Sequence, residues 1–110
     1  MNWKNLTDEQ QLTEIREKSS ERPQVIFKHS TRCSISSVAK SRLDRSPDPE
    51  GIDFYYLDLI RYRSISNRIS ELFEVHHESP QILLIKNGEC IYDESHLSIS
   101  IDEVKQQANA

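Results

Sequence analysis

The chain has 110 residues, 35% hydrophobic and 29% charged, with a formal net charge of −4, a length that suits one compact core burying roughly two thirds of the unfolded surface. Its apolar residues fall in periodic blocks, which excludes a disordered polymer away from the ends, and no apolar run approaches the ~18 residues of a membrane span. Met1-Asn2-Trp3-Lys4 runs into a polar helical pattern with no signal-peptide core, so a cytoplasmic address is expected.

Thr7 followed by Gln10 reads as a capping box for a first helix that carries Leu12 and Ile15 to about Lys18. After Pro23, Val25-Ile26-Phe27 is short, apolar and β-branched, the pattern of a buried strand ending near Lys28. Ile35, Val38, Ala39 and Leu43 then recur at helical spacing, and that helix must stop before Ser46-Pro47-Asp48-Pro49. Phe54-Tyr55-Tyr56-Leu57 is a second strand, followed by a helix stripe of Ile65, Ile69, Leu72 and Phe73 with Ser64 as candidate cap. Ile82-Leu83-Leu84-Ile85 and Cys90-Ile91-Tyr92 flank Asn87-Gly88, a strong hairpin signal because both turn residues tolerate positive φ. Ser100 and Glu103 make a second capping box before Ile101, Val104 and Ala108.

The expected order is αβαβαββα. Strand, crossover helix and strand give a parallel pair, and the hairpin is antiparallel, so a four-stranded mixed sheet flanked by helices follows. With no internal repeat, low-complexity segment or long linker, residues 1–110 are expected to form a single domain. A cysteine at the start of the helix after the first strand, together with a proline entering the hairpin, resembles a thioredoxin-like α/β fold.

Charge is unevenly spread. Residues 22 to 45 carry Arg22, Lys28, Arg32, Lys40, Arg42 and Arg45 against Asp44 alone, whereas residues 71 to 110 carry eight acids against Lys86 and Lys105. Without interleaved aromatics, and beside an acidic remainder, the cations make a poor nucleic-acid footprint. Two cysteines, Cys33 and Cys90, are too few for a secreted disulfide scaffold and lack zinc-site spacing.

Cys33 lies between the strand ending near Lys28 and the helix beginning near Ser34, which places it at the helix N-cap or N1 position. Unpaired backbone N–H groups and the helix dipole favour negative charge there. Lys28, His29 and Arg32 add candidate positive potential, and such settings lower a cysteine pKa from about 8.5 to roughly 3.5–7.5. A shift from about 8.5 to about 6 raises the thiolate fraction at pH 7 roughly thirtyfold but makes each thiolate roughly thirteenfold less nucleophilic, a net gain of only about twofold. The larger benefit comes in release, because a low-pKa thiol leaves a mixed disulfide faster.

In Cys33-Ser34-Ile35-Ser36 the spacing is that of a redox C-x-x-C motif with serine in the resolving place. Serine forms no disulfide, so an external thiol must regenerate the protein, and Ser36 is expected to support the Cys33 thiolate with a hydrogen bond. The bland alternative, an ordinary buried cysteine, fits poorly with the polar bracket of Lys28 to Arg32 and Ser34. Cys90, between Glu89 and Ile91 on a strand, reads as structural, with a distant redox partnership as its lesser role. Of the other candidates, His76 and His77 beside Ser79-Pro80 could line the thiol groove, while Tyr56, Asp58, Tyr62 and Arg63 suit packing and loop hydrogen bonds.

Taken in order, Val25-Ile26-Phe27-Lys28-His29-Ser30 before Cys33-Ser34-Ile35-Ser36, then Tyr56 through Arg63, then His77 through Gly88, with Ser95-His96 beyond, resemble the monothiol bacilliredoxin family. The resemblance implies a cytoplasmic thiol-disulfide oxidoreductase that removes bacillithiol, a low-molecular-weight thiol, from protein mixed disulfides. Cys33 would be the catalytic nucleophile, with Arg32, Ser36, Lys28, Ser79, Pro80 and His77 supporting it or binding the thiol. Ser79-Pro80 matches the loop where related folds carry a cis-proline whose preceding backbone pairs with the substrate chain. Bacillithiol carries malate carboxylates, for which Arg32 and Lys28 are the candidate partners. The implied partners are S-thiolated client proteins and the low-molecular-weight thiol as co-substrate, with no metal, no other cofactor, no nucleic acid and no membrane. Two further readings stand beside this one: an iron–sulfur carrier of monothiol glutaredoxin type, and a redox-inactive thioredoxin-like binding module.

Overall fold

The computed structural model describes all of residues 1–110. Its elements in chain order are β1 (Lys4–Asn5), α1 (Gln10–Lys18), β2 (Gln24–His29), α2 (Ser34–Asp44), β3 (Asp53–Asp58), α3 (Arg63–Leu72), β4 (Gln81–Lys86), β5 (Glu89–Ser95), a 3-10 turn (His96–Ser98) and α4 (Ile101–Ala108). The strands form one mixed sheet in the order β1-β3-β2-β4-β5. β3 runs parallel to both β1 and β2, while β4 is antiparallel to β2 and to β5. The fold is thioredoxin-like α/β, as the sequence pattern predicted, with one strand more than expected.

That strand is β1. Two exposed polar residues carry no periodic signal, and tertiary contacts hold them. Lys4 and Asn5 pair with Tyr55 and Tyr56, the Leu6 amide donates to the Tyr56 carbonyl at 2.9 Å, and the Trp3 ring stacks on Phe27 with centroids 5.7 Å apart.

Side-chain alternation on the sheet divides the core in two. Ile26, Tyr55, Leu57, Leu83 and Ile85 pack beneath α1 and α3, with Leu12, Ile15, Ile65 and Ile69. Val25, Phe27, Phe54, Ile82 and Leu84 pack beneath α2 and α4, with Ala39, Leu43, Val104 and Ala108. β2 is central and every residue in it is buried, which explains its continuous apolar run in the sequence.

The helix starts differ from those predicted. Thr7 and Gln10 form no capping box: α1 begins after Glu9, which makes no side-chain cap bond, and Gln11 Oε1 instead accepts from the Thr7 and Asp8 amides. Ser64 lies inside α3, whose N-cap is Tyr62. Ser100 is the N-cap of α4 as expected but bonds no amide with its hydroxyl, and the Glu103 carboxylate accepts from Gln107 Nε2 at 3.0 Å. The hairpin is as predicted, with Asn87 at φ 52° and Gly88 at φ 80°, the left-handed pair of a two-residue turn. Ser19 at the end of α1 anchors it, accepting from the Asn87 amide at 2.9 Å and, through its hydroxyl, from the Gly88 amide at 2.8 Å. No helix is long and apolar enough to cross a membrane.

Candidate active site

Cys33 is the N-cap residue of α2, with extended backbone (φ −111°, ψ 123°) and no capping bond from its sulfur. Its amide donates to the Ser30 carbonyl at 3.2 Å and its carbonyl accepts from Ser37 at 3.0 Å. The chain therefore turns tightly between β2 and α2, and Cys33 sits half-exposed at the turn.

Ser36 is fully buried one turn into α2. Its hydroxyl oxygen accepts from the Ser30 amide at 3.0 Å and lies 2.7 Å from His29 Nδ1. These partners correct the expectation that Ser36 would donate to the Cys33 thiolate, since its hydrogen-bonding capacity is used to fasten the end of β2 to the first turn of α2.

His29 is a feature the sequence reading passed over, naming it only as a flanking charge. It is buried, and burial, assisted by the Lys40 ammonium, holds its pKa below the ordinary histidine value. In the neutral ring's Nε2–H tautomer, Nδ1 accepts the Ser36 hydroxyl proton. The ring packs between Phe27 and Tyr56, with centroids 5.9 and 5.7 Å away. The missed signal was the seven-residue spacing to Ser36, which joins a strand end to the first turn of the next helix.

Lys28 also departs from expectation. Alternation turns it to the opposite face of the sheet from His29, where it is completely buried and its ammonium donates to His77 Nδ1 at 2.9 Å. Burial lowers the Lys28 pKa to about 8, with Asp93 and Glu78 opposing the shift. His77 is pushed below its usual value by burial and by the Lys28 and Arg63 charges. A completely buried ammonium bonded to His77 cannot reach a substrate carboxylate, so Lys28 is removed from the candidate thiol-binding set. Arg32 is exposed beside Cys33 and keeps that candidacy.

The Ser79-Pro80 peptide is cis. Lys28 pairs with Gln81 across β2 and β4, so Pro80 lies next along from His29, at the Cys33 end of the sheet. The loop is tied down from several sides: Gln81 Nε2 donates to the His76 carbonyl at 2.9 Å, and the His96 amide to the Pro80 carbonyl at 3.0 Å. Glu78 lies 3.6 Å from His96 Nε2 and 3.9 Å from His76 Nε2. Ser79 Oγ is shielded from solvent without a hydrogen-bond partner. Asp58 serves the loop after β3, as its sequence context suggested, accepting from the Ile60 amide at 3.1 Å.

Cys90 lies at the far end of the sheet. It pairs with Ile85, which in turn pairs with Gln24; Gln24 to His29 is about 16 Å of strand, whereas a disulfide needs Cα atoms within about 7 Å. Burial pushes its thiol up to about 11. No second thiol of the folded chain reaches Cys33.

A half-exposed helix-start cysteine at the cis-proline end of a mixed sheet of this topology defines a thioredoxin-fold protein of the thiol oxidoreductase class. The family model described as "Monothiol bacilliredoxin BrxC" matches residues 4–104, and the chain belongs to that family. Among solved structures, one of a thioredoxin-fold protein proposed to be an oxidoreductase superposes with a TM-score of 0.81 at 28% identity, covering 94% of this chain and 90% of that one. The thioredoxin of Malassezia sympodialis gives 0.74 at 15% identity over 97% and 91%. That of Fasciola hepatica gives 0.75 at 12% over 96% of each. At such identities the two thioredoxins attest the fold alone.

Three outcomes follow from this geometry. Ser36→Ala leaves the Ser30 amide without its partner and is expected to lower stability by about 1–2 kcal/mol, read as a shifted urea midpoint with unchanged slope. Lys28 has a folded pKa below its unfolded one, so between pH ~8 and ~10.5 the unfolded chain binds more protons and stability rises with pH. Lys28→Met is therefore expected to stabilise the protein at pH 7, by about 1–2 kcal/mol, and to flatten that rise. Finally, iodoacetamide at pH 8 should label one thiol per native chain, mapped to Cys33 by peptide mass spectrometry, because a thiol titrating at about 11 is ionised to only about one part in a thousand there. Two should label after denaturation.

Proposed function

We propose that this protein removes a low-molecular-weight thiol of the bacillithiol type from S-thiolated client proteins in the cytoplasm, using Cys33 as its only redox residue. The observation that carries the reading is the placement of Cys33 itself: half-exposed at the start of α2, on the cis-Pro80 end of the sheet, with Ser36 committed to His29 and Ser30 and Cys90 out of reach. Family membership supports the same chemistry.

In the first step the Cys33 thiolate attacks the bacillithiol sulfur of the mixed disulfide. The S–S bond of the client breaks, its thiolate leaves with the electron pair, and a Cys33–bacillithiol disulfide forms. In the second step an external bacillithiol thiolate attacks the bacillithiol sulfur now joined to Cys33, releasing the Cys33 thiolate and bacillithiol disulfide. The first turn of α2 offers backbone N–H groups without intrahelical partners to the thiolate released at each turnover. Arg32, exposed one residue before Cys33, is the cation available to the malate carboxylates, and the backbone at Ser79 is the strand-like partner for the client chain.

The test is intact-protein mass spectrometry after incubation with a client protein carrying a bacillithiol mixed disulfide. Wild type should gain the adduct mass while the client loses it, and Cys33→Ala should gain nothing. A wild-type protein that leaves the client adduct in place would end the proposal.

A further inference from the structure

Resting on that reading of Cys33, we infer that the outer face of α2 and the adjoining 3-10 turn form a client-docking groove selective for an extended segment carrying an apolar residue flanked by carboxylates. α2 buries Ser36, Ala39 and Leu43 against the sheet. Beside that buried face runs an exposed stripe, Ile35, Val38, Arg42 and the C-cap residue Arg45, which recur at i, i+3, i+7 and i+10 and so share one side of the helix.

Large apolar side chains seldom stand in the open without a use when they gather. Ile35 is 42% exposed, Val38 45% and Leu97 52%, and these are three of the four large apolar residues the protein exposes. Leu97 belongs to the 3-10 turn beside α2, and Arg42 Nη1 donates to its carbonyl at 3.3 Å. At this junction a groove of about 290 Å³ opens between Arg42, Leu43 and Ser46 on one side and Leu97 to Ile101 on the other. The groove lies apart from Cys33 but along the helix that Cys33 starts, and the 3-10 turn at its border is tied to the cis-proline loop by the bond from the His96 amide to the Pro80 carbonyl.

Charge decides what the groove takes. The chain is acidic as a whole, at −4, yet Arg32, Arg42 and Arg45 are exposed along this face and none forms a salt bridge. Leu43, Leu97, Ile99 and Ile101 supply apolar lining, with Arg42 at the groove's edge and Arg45 close by at the end of α2, which suits an apolar side chain between carboxylates. The spacing is set by helix geometry: nine residues from Cys33 to Arg42 span about 13 Å of helix, or about four residues of extended chain. The apolar residue is therefore expected about four positions from the client cysteine.

The experiment uses two peptide sets bearing the bacillithiol mixed disulfide, with Glu-Leu-Glu or Lys-Leu-Lys centred four positions before or after the cysteine. The ratio of kcat/KM for acidic over basic peptide, taken within one enzyme, cancels any general defect of a variant. Wild type is expected to prefer the acidic peptide about five- to tenfold at low salt, falling toward equality at 0.5 M salt. Arg42→Glu and Arg45→Glu, each checked by circular dichroism, should lower or invert the ratio. In parallel, the acidic peptide with serine in place of cysteine should shift the amide signals of Val38 and Leu97 in a nuclear magnetic resonance titration. Equal kcat/KM for all peptides, or signal shifts confined to the Tyr56 to Tyr62 region, overturns the groove while leaving the exchange reaction intact. Shifts at Val38 and Leu97 without any dethiolation support the groove and overturn the exchange reaction instead.

Discussion

One hydroxyl oxygen holds the arrangement of the site. Ser36 Oγ, buried in the first turn of α2, is bonded both to the amide of Ser30 and to the ring of His29, so it bridges the end of a central strand and the start of the next helix across the loop that carries Cys33. The Ser30 carbonyl closes the same loop by accepting from the Cys33 amide. The position of the cysteine is thus defined by satisfied polar groups in a buried place, where leaving any of them unpaired is costly. It also follows that the residue three places after Cys33 is occupied in holding the loop. A redox cycle on this scaffold needs its second thiol from outside.

The alternation of β2 sets up the rest. Val25, Phe27 and His29 face α2 and α4, while Ile26 and Lys28 face α1 and α3. Two consecutive basic residues therefore enter separate environments. His29 is neutralised by burial among aromatic rings, and Lys28 keeps an ammonium bonded to His77 beneath the cis-proline loop. Neither projects charge into solvent beside Cys33. The loop gains by this, because Lys28, Gln81 and His96 fasten its two sides to the sheet and the 3-10 turn.

The fold was legible because its signals are collective. Period-2 and period-3.6 patterns, two prolines after α2 and Asn87-Gly88 each constrain many residues at once, and the placement of Cys33 at the start of a helix follows from them. What escaped the sequence depends on single side chains choosing among partners. Whether a lysine at a strand end snorkels or is swallowed depends on what lies over it, here the loop bearing His77. Capping boxes failed for the same reason: Gln11 rather than Gln10 reached back to Thr7, and Glu103 found Gln107, alternatives with equal local chemistry. β1 was invisible because two polar residues pair only once Trp3 and Leu6 are packed on either side of them.

The uneven charge of the sequence resolves into two populations once the partners are known. Arg22 pairs with Asp53, Lys28 is buried against His77, and Lys40 pairs with Asp44 while lying over the rings of Trp3 and Tyr56. These cations are engaged with partners inside the fold. Arg32, Arg42 and Arg45 are left over, and all three lie on α2 or at its two ends. At physiological salt a charge is felt over roughly 8 Å, so a charged segment approaching α2 senses this local stripe rather than the net charge of −4. An acidic protein can in this way present a local stripe of unpaired arginines along the helix that Cys33 starts.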